Sequence, residues 1–307
     1  MMSRTVLLVA MTALVPSASL FVRASADDDQ EYVKSVQAWR TKHETDYRKE
    51  YVVLAGLFFL KPGPNQAGSA RTNDVITPSS TPASIGTFVL TGQNVRFEPK
   101  AGVAITVKDK PVTSPIDLHN DAKEGADELN LGGGVALWVH NSGDRRAIRM
   151  RDEQGEVARS FLGFHWFPID KKYRVTGRFI KEPAARDIKV PNLTGDFATY
   201  KTEGLVEFTL EGQTIRMRPM TTRPNRFFFI FKDGTSGKET YGAARFLYAD
   251  LKPDGTTVLD FNEAYNPPCA FNAFTTCPLP PPENRLKLRL LVGEKDYPKH
   301  PAKLTTE

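Results

Sequence analysis

Carboxylate, amide and guanidinium side chains flank a proline-rich segment, residues 266–286, near the C-terminus. Such groups can hydrogen-bond a polar or anionic ligand, and two carboxylates can act as general acid and base. Within the run LDFN, Asp260 and Asn262 alternate with Phe261, so both should point to one face of a strand end. Together with two residues of an upstream loop, the predicted ligand-binding residues are Asp233, Arg245, Asp260, Asn262, Tyr265, Asn266, Glu283, Asn284 and Arg285.

The segment itself predicts a stiff loop. Its six prolines lack a backbone N–H and have a fixed φ, so they cannot join the middle of a sheet. A stiff loop can hold the flanking polar groups around a pocket. The same groups can instead satisfy the loop's own backbone amides and carbonyls. The sequence leaves both interpretations open.

Cys269 and Cys277, the only cysteines in the chain, lie in this segment. An exported protein favours a disulfide, and closing so small a ring would stabilise the fold by about 2–3 kcal/mol. A free reactive thiol and two unbridged buried thiols are the alternatives. Two thiolates alone make a poor zinc site, so no metal is predicted here.

Other motifs add little chemistry. The Gly-Thr-Ser-Gly-Lys run at 234–238 lacks the spacing of a phosphate loop, and Gly-x-Ser-x-Gly is absent. Histidines at 43, 119, 140, 165 and 300 show no metal-ligand spacing. We therefore predict no cofactor and no metal, and leave open whether the protein is an enzyme.

The N-terminus predicts export. Arg4, an apolar run over residues 6–20 and the Ala24-Ser25-Ala26 triplet form the pattern of a signal peptide over residues 1–26. The product is expected in the periplasm or outside the cell, without a transmembrane segment. Cleavage removes two arginines and no acid, so the net charge of +5 becomes +3. This mild and dispersed charge does not favour nucleic-acid binding.

Hydrophobic periodicity predicts the fold. Tyr32, Val36 and Trp39 have helical spacing within residues 28–49. Alternating runs such as 204–210 and 286–292 then indicate antiparallel strands with one wet face. About a dozen short strands favour an antiparallel sandwich or barrel with an N-terminal helix. We expect residues 27–307 to form a single β-rich domain; a division into two domains near residues 181–195 is the alternative.

Residues 259–286, followed by Gly293–Lys295, resemble an uncharacterised bacterial and archaeal family, domain of unknown function 1684. Weaker pieces lie upstream at 54–60, 148–152, 164–170 and 233–247, so that the resemblance extends from Trp39 to Tyr297. Where a Gly-Trp pair is expected, the chain has Glu50-Tyr51. The resemblance implies one domain across these motifs and no particular activity.

The leading functional prediction is an exported protein that binds a small polar or anionic molecule beside the loop 266–286. One alternative is a cell-envelope hydrolase with two carboxylates drawn from Asp260, Glu263, Glu283 and Glu294. Another is a structural or partner-binding envelope protein that has no pocket.

Overall fold

The computed structural model describes residues 18–122, 125–193, 195 and 197–301, with side chains from Asp28 onward. Helix α1 (Ala18–Tyr47) continues as a π-helical turn, Arg48–Val52. It contains most of the helix predicted over residues 28–49. The first 17 residues of the predicted signal peptide lie outside the described part, so the signal peptide stays a prediction. Among the described residues, every helix is too short or too polar to span a bilayer.

Most of the remaining chain forms short strands. In chain order they are β1 (Leu54–Phe59), β2 (Gly63–Gly68), β3 (Val75–Ile76), β4 (Gly86–Thr91), β5 (Asn94–Pro99), β6 (Thr106–Val107), β7 (Lys110–Pro111), β8 (Ile116–Leu118), β9 (Leu129–Gly132), β10 (Val135–Ser142), β11 (Arg145–Asp152), β12 (Arg174–Pro191), β13 (Phe197–Leu210), β14 (Gln213–Met217), β15 (Met220–Arg223), β16 (Arg226–Phe231), β17 (Arg245–Asp250) and β18 (Thr256–Asp260). A short helix, α2 (Glu156–Ser160), follows β11.

Three sheets result. The N-terminal half holds the sheets β3-β2-β4-β5-β8 and β1-β11-β10-β9-β6-β7, which share one core containing Phe88, Phe97 and Ile148. The C-terminal half holds the sheet β17-β16-β15-β13-β12-β18, with β14 paired to β13. A bridge between Leu251 and Thr257 brings its two end strands together, so this sheet is a nearly closed barrel.

The mainly β, antiparallel fold with one N-terminal helix is thus confirmed. The turn Glu211-Gly212 joins β13 to β14 with positive φ at both residues, +51° and +75°, as a two-residue hairpin requires. The boundary of the single domain, 27–307, stays a prediction.

The strand expected at residues 286–292 is wrong. The segment bends at residues 287 and 288, and its exposure alternates as expected, with Leu290 and Val292 completely buried. However, the carbonyls of these two residues accept hydrogen bonds from the guanidinium of Arg245 rather than from a neighbouring strand. The alternation therefore reported correctly which side chains are buried, but not the hydrogen-bonding partner of the backbone.

Candidate functional site

A cleft of about 550 Å³ lies where α1 crosses the barrel beside β16, β17 and β18. Aromatic rings form one side of it, contributed by Trp39, His43, Tyr248 and Tyr265. Charged groups also line it, contributed by Arg226, Asp250, Lys252 and Glu263, and the Arg226 guanidinium lies over the Tyr248 ring. Tyr265 immediately precedes the proline-rich segment, so the cleft lies at the beginning of that loop.

The α-helical spacing of α1 brings two of the aromatic residues together in the cleft. Trp39 and His43 are four residues apart, so they share a face of α1. Their rings stack with centroids 4.9 Å apart, and His43 also contacts Tyr265 at 4.4 Å. Only 9% of His43 is exposed, and its Nε2 has no hydrogen-bond partner among the described residues. Burial lowers the pKa of His43 to about 3, so the imidazole is neutral at pH 7.

The four charged residues of the cleft comprise one hydrogen-bonded ion pair and two side chains without an ion-pair partner. Arg226 and Asp250 face each other across β16 and β17, and Nη1 donates to both carboxylate oxygens at 2.8 and 2.9 Å. Within the described part of the chain, Lys252 and Glu263 form no ion pair and no hydrogen bond through their side chains. Burial, and then the nearby charge of Asp260, raise the pKa of Glu263 to about 7. This carboxyl group is therefore close to half-protonated at neutral pH.

Asp260 and Asn262 lie together, as predicted, but they anchor α1 to the barrel. The hydroxyl of Tyr32 donates to the Asp260 carboxylate at 3.0 Å. Asn262 donates through Nδ2 to the carbonyl of Asp170 at 2.9 Å and accepts from the N–H of the same residue at 2.8 Å. The carbonyl of Asn262 accepts from Arg40 at 3.1 Å.

Asp233 and Arg245 are also engaged in interactions within the protein. Arg245 Nη1 lies 2.7 Å from Asp233 Oδ2, and neither side chain has any exposed surface. The other carboxylate oxygen accepts from the N–H and the hydroxyl of Thr235. This pair holds the extended C-terminal segment against the barrel, since Arg245 also binds two of its carbonyls.

Asn266 is likewise committed to internal bonds. Its backbone N–H and its Nδ2 donate to the two oxygens of Glu294 at 2.8 and 2.9 Å, and Nδ2 also donates to the carbonyl of Lys295 at 2.7 Å. Glu294 is buried, and this burial raises its pKa to about 8.

Of the three predicted residues at the end of the loop, Glu283 and Asn284 form hydrogen bonds within the protein, and Arg285 is exposed. Asn284 accepts from the N–H of Arg218 at 2.7 Å and donates to the carbonyls of Arg218 and Ile230 at 2.9 and 3.0 Å. Glu283 accepts from Arg218 Nε at 2.7 Å. Arg285 is exposed.

The nine predicted residues do not all lie around this cleft. Tyr265 alone lines the cleft. Most of the others satisfy backbone groups or buried charges, because a proline-rich loop has few amides with which to tie itself to a sheet. Ligand binding by these residues stays a prediction.

The two cysteines are free and buried. The backbone N–H of Cys269 donates to the sulfur of Cys277 at 3.3 Å, so the two residues are neighbours in space. The predicted bridge between them stays a prediction. The described residues contain no group of three or more His, Cys, Asp or Glu side chains placed to hold a metal ion.

Sequence reasoning missed the role of His43, which it treated as one of five scattered histidines. A signal was present, because His43 falls on the same helical face as Val36 and Trp39. A histidine on the apolar face of an amphipathic helix must be buried, and this one also lines a cleft.

Residues 159–295 match the family described as Protein of unknown function (DUF1684). The expected resemblance is confirmed over this stretch, which includes the complete proline-rich loop; the pieces noted at 54–60 and 148–152 lie outside it. An uncharacterised protein from Haloarcula marismortui, solved by solution NMR, is 28% identical. The alignment covers 47% of this chain and 82% of that one, with a TM-score of 0.39. No curated protein matches the chain.

Proposed function

We propose that this protein is exported and binds a small organic molecule in the cleft between α1 and the barrel. The supporting observation is that the His43 ring and an unpaired Glu263 carboxyl line the same partly aromatic cleft. Largely buried polar groups normally have partners, and a ligand would provide one for the Glu263 carboxyl. Small-molecule sites commonly combine apolar walls with a few polar groups of this kind.

The anchoring of α1 is compatible with removal of residues 1–26. The contacts that fix this helix to the barrel begin at Asp29, which pairs with Lys171, and continue through Tyr32 and Arg40. All of them lie after the predicted cleavage site. The mature chain would therefore keep the aromatic side of the cleft in place.

A thermal-shift screen of the mature protein tests the binding proposal. The library should contain organic anions, neutral polar molecules and amines. Val258→Phe adds a ring to the wall of the cleft and should abolish the shift caused by true ligands. Ile180→Phe, at an exposed position of β12, is the matched control and should leave the shift unchanged. Hits that survive Val258→Phe, or a screen without hits, would reject the proposal.

One specific observation favours a second candidate function, hydrolysis. Glu263 has a pKa of about 7, and the same cleft contains Asp250, whose carboxylate is held by Arg226. Two carboxyl groups in one cleft, one of them with a raised pKa, can act in general acid–base catalysis. In this interpretation Glu263 donates a proton to the leaving group, and Asp250 activates water.

Panels of chromogenic esters and glycosides test this alternative. Glu263→Gln should abolish turnover while it preserves binding, because glutamine keeps the shape of the side chain but cannot transfer the proton. Glu98→Gln, on the exposed face of β5, should retain full activity. Activity that is unchanged in Glu263→Gln would exclude the mechanism, as would the absence of turnover on every substrate.

We further propose that Cys269 and Cys277 form a disulfide after export. The support is their burial, their contact through the Cys269 N–H, and their separation of only eight positions. Such a bridge would close a short ring within the proline-rich loop, behind the cleft residue Tyr265.

A further inference from the structure

We propose that the ligand of this cleft is a small organic monoanion with a flat apolar body, whose carboxylate meets Lys252 and Glu263. This inference rests on the proposed function and names its ligand class. It depends on three features of the cleft, namely the state of the aromatic rings, the balance of charge and the donor character of Glu263.

Several aromatic ring faces in the cleft already contact other side chains, which argues against an amine ligand. Binding of an ammonium group would require open ring faces. His43 stacks on Trp39, and the guanidinium of Arg226 lies over Tyr248, 5.0 Å from its centroid. Tyr248 also stacks with Phe228 at 4.7 Å. Rings whose faces are engaged in this way have fewer free faces on which a cation could bind.

The charged residues of the cleft also favour an anionic ligand. The pair Arg226–Asp250 is internally neutral. Lys252 lines the cleft, is exposed and forms no ion pair within the described residues. Its charged neighbour Asp254 is also exposed, so the ammonium group remains available to a ligand anion. A ligand carboxylate would pair with this ammonium group, while its apolar body would enter between the rings.

Glu263 then acts as a hydrogen-bond donor. Its charged neighbours are Asp260 behind it and Arg40, Arg174 and Arg226 around it, and the balance of their effects with burial leaves it partly protonated at neutral pH. A protonated carboxyl donates to a ligand anion, whereas an ionised one repels it. Affinity for an anion should therefore fall as the pH rises through the titration of Glu263. Neutral His43 does not titrate in this range.

Titrations with benzoate, benzamide and benzylammonium, followed by ligand-observed NMR, test the inference. We expect benzoate to bind most tightly. Lys252→Gln should weaken benzoate about two- to fivefold, as an exposed ion pair predicts. Lys100→Gln, an exposed lysine on the other half of the protein, is the matched control and should have no effect. Between about pH 6 and about pH 8 the affinity should decline in the wild type and stay flat in Glu263→Gln.

The outcomes separate this inference from the proposed function. Suppose that benzamide or benzylammonium binds as tightly as benzoate, and that Val258→Phe abolishes this binding. The proposed ligand class is then wrong, while the proposal that the cleft binds a ligand is supported. If affinity for benzoate rises with pH, or if none of the three probes binds, the monoanion is rejected. If Val258→Phe leaves benzoate binding unchanged, benzoate binds outside this cleft, and both proposals are contradicted.

Discussion

Arg245 and Asp233 form an ion pair that is completely shielded from solvent, with Nη1 and Oδ2 2.7 Å apart. The pair sits at the junction of three segments. Arg245 begins β17, Asp233 follows β16, and the carbonyls of Leu290 and Val292 accept two further hydrogen bonds from the guanidinium. The guanidinium thus adds to the backbone hydrogen bonds by which Leu286 and Leu288 join this segment to Lys232 and Gly234.

We predict that Arg245→Met destabilises the protein by about 3–5 kcal/mol, because it leaves the Asp233 carboxylate buried without a counter-charge. It also removes hydrogen bonds to two buried carbonyls. Urea denaturation followed by circular dichroism measures the effect. The control is Arg216→Met, which breaks an exposed pair with Glu207 and should cost less than about 1 kcal/mol. Equal losses in the two variants would show that Arg245 is not a structural anchor.

Asn284 supplies a second structural prediction. Its amide satisfies three backbone groups of β16 and of the segment after β14, and it has no exposed surface. Asn284→Ala leaves these groups without partners and should destabilise the fold by about 2–4 kcal/mol. Asn94→Ala, at an exposed position of β5, should change stability by less than about 0.5 kcal/mol. The same denaturation curves measure both, and a minor loss in Asn284→Ala would mean that water replaces the amide.

The sequence predicted the β architecture because alternation reports burial directly. Val206, Phe208 and Leu210 are all buried, on one face of β13. It predicted the stiff loop for an equally local reason, the fixed φ of proline. It could not distinguish between a ligand site and internal bonding for Asn262 or Asn284. An asparagine that binds a ligand and one that binds a distant backbone carbonyl have the same local sequence.

The cleft escaped prediction because its parts are far apart in the chain. Trp39 and His43 come from the N-terminal helix, and Glu263 and Tyr265 from the end of the barrel. The sequence showed only the helical spacing of Trp39 with Tyr32 and Val36, and it offered Glu263 as one of four candidate carboxylates. Their meeting depends on the crossing of α1 over the barrel, which Tyr32 and Arg40 fix through Asp260 and Asn262. Tertiary packing of this kind leaves no periodic signal.

Glu294 should make stability depend on pH. Its pKa is about 8 in the folded protein and 4.5 for an ordinary glutamate, so the folded state keeps a proton that the unfolded chain releases. Stability should therefore fall as the pH rises from about 4.5 to about 8, by a few kcal/mol in total. Glu294→Gln carries no proton to lose and should flatten this part of the curve.

The measurement compares the free energy of unfolding of wild type and Glu294→Gln across this pH range. The variant should gain on the wild type steadily up to about pH 8 and no further. Glu98→Gln serves as the control for an exposed glutamate and should follow the wild type. Parallel curves for wild type and Glu294→Gln would show that Glu294 is ionised in the folded state.

The proposed bridge between Cys269 and Cys277 gives the last prediction. Protein isolated from the oxidising compartment should contain no free thiol when it is labelled under denaturing, non-reducing conditions. The bridge closes a short loop, so Cys277→Ser should cost about 2–3 kcal/mol of stability relative to the oxidised wild type. Reduction of the wild type should lower its stability by a similar amount, and the same reductant should leave Cys277→Ser unchanged. Two labelled thiols per chain in freshly isolated protein would mean that the buried cysteines serve the core as small apolar side chains. The stiffness of the loop would then come from its prolines and from Asn272, which binds the carbonyls of Tyr51 and Leu54 at 2.7 and 2.8 Å.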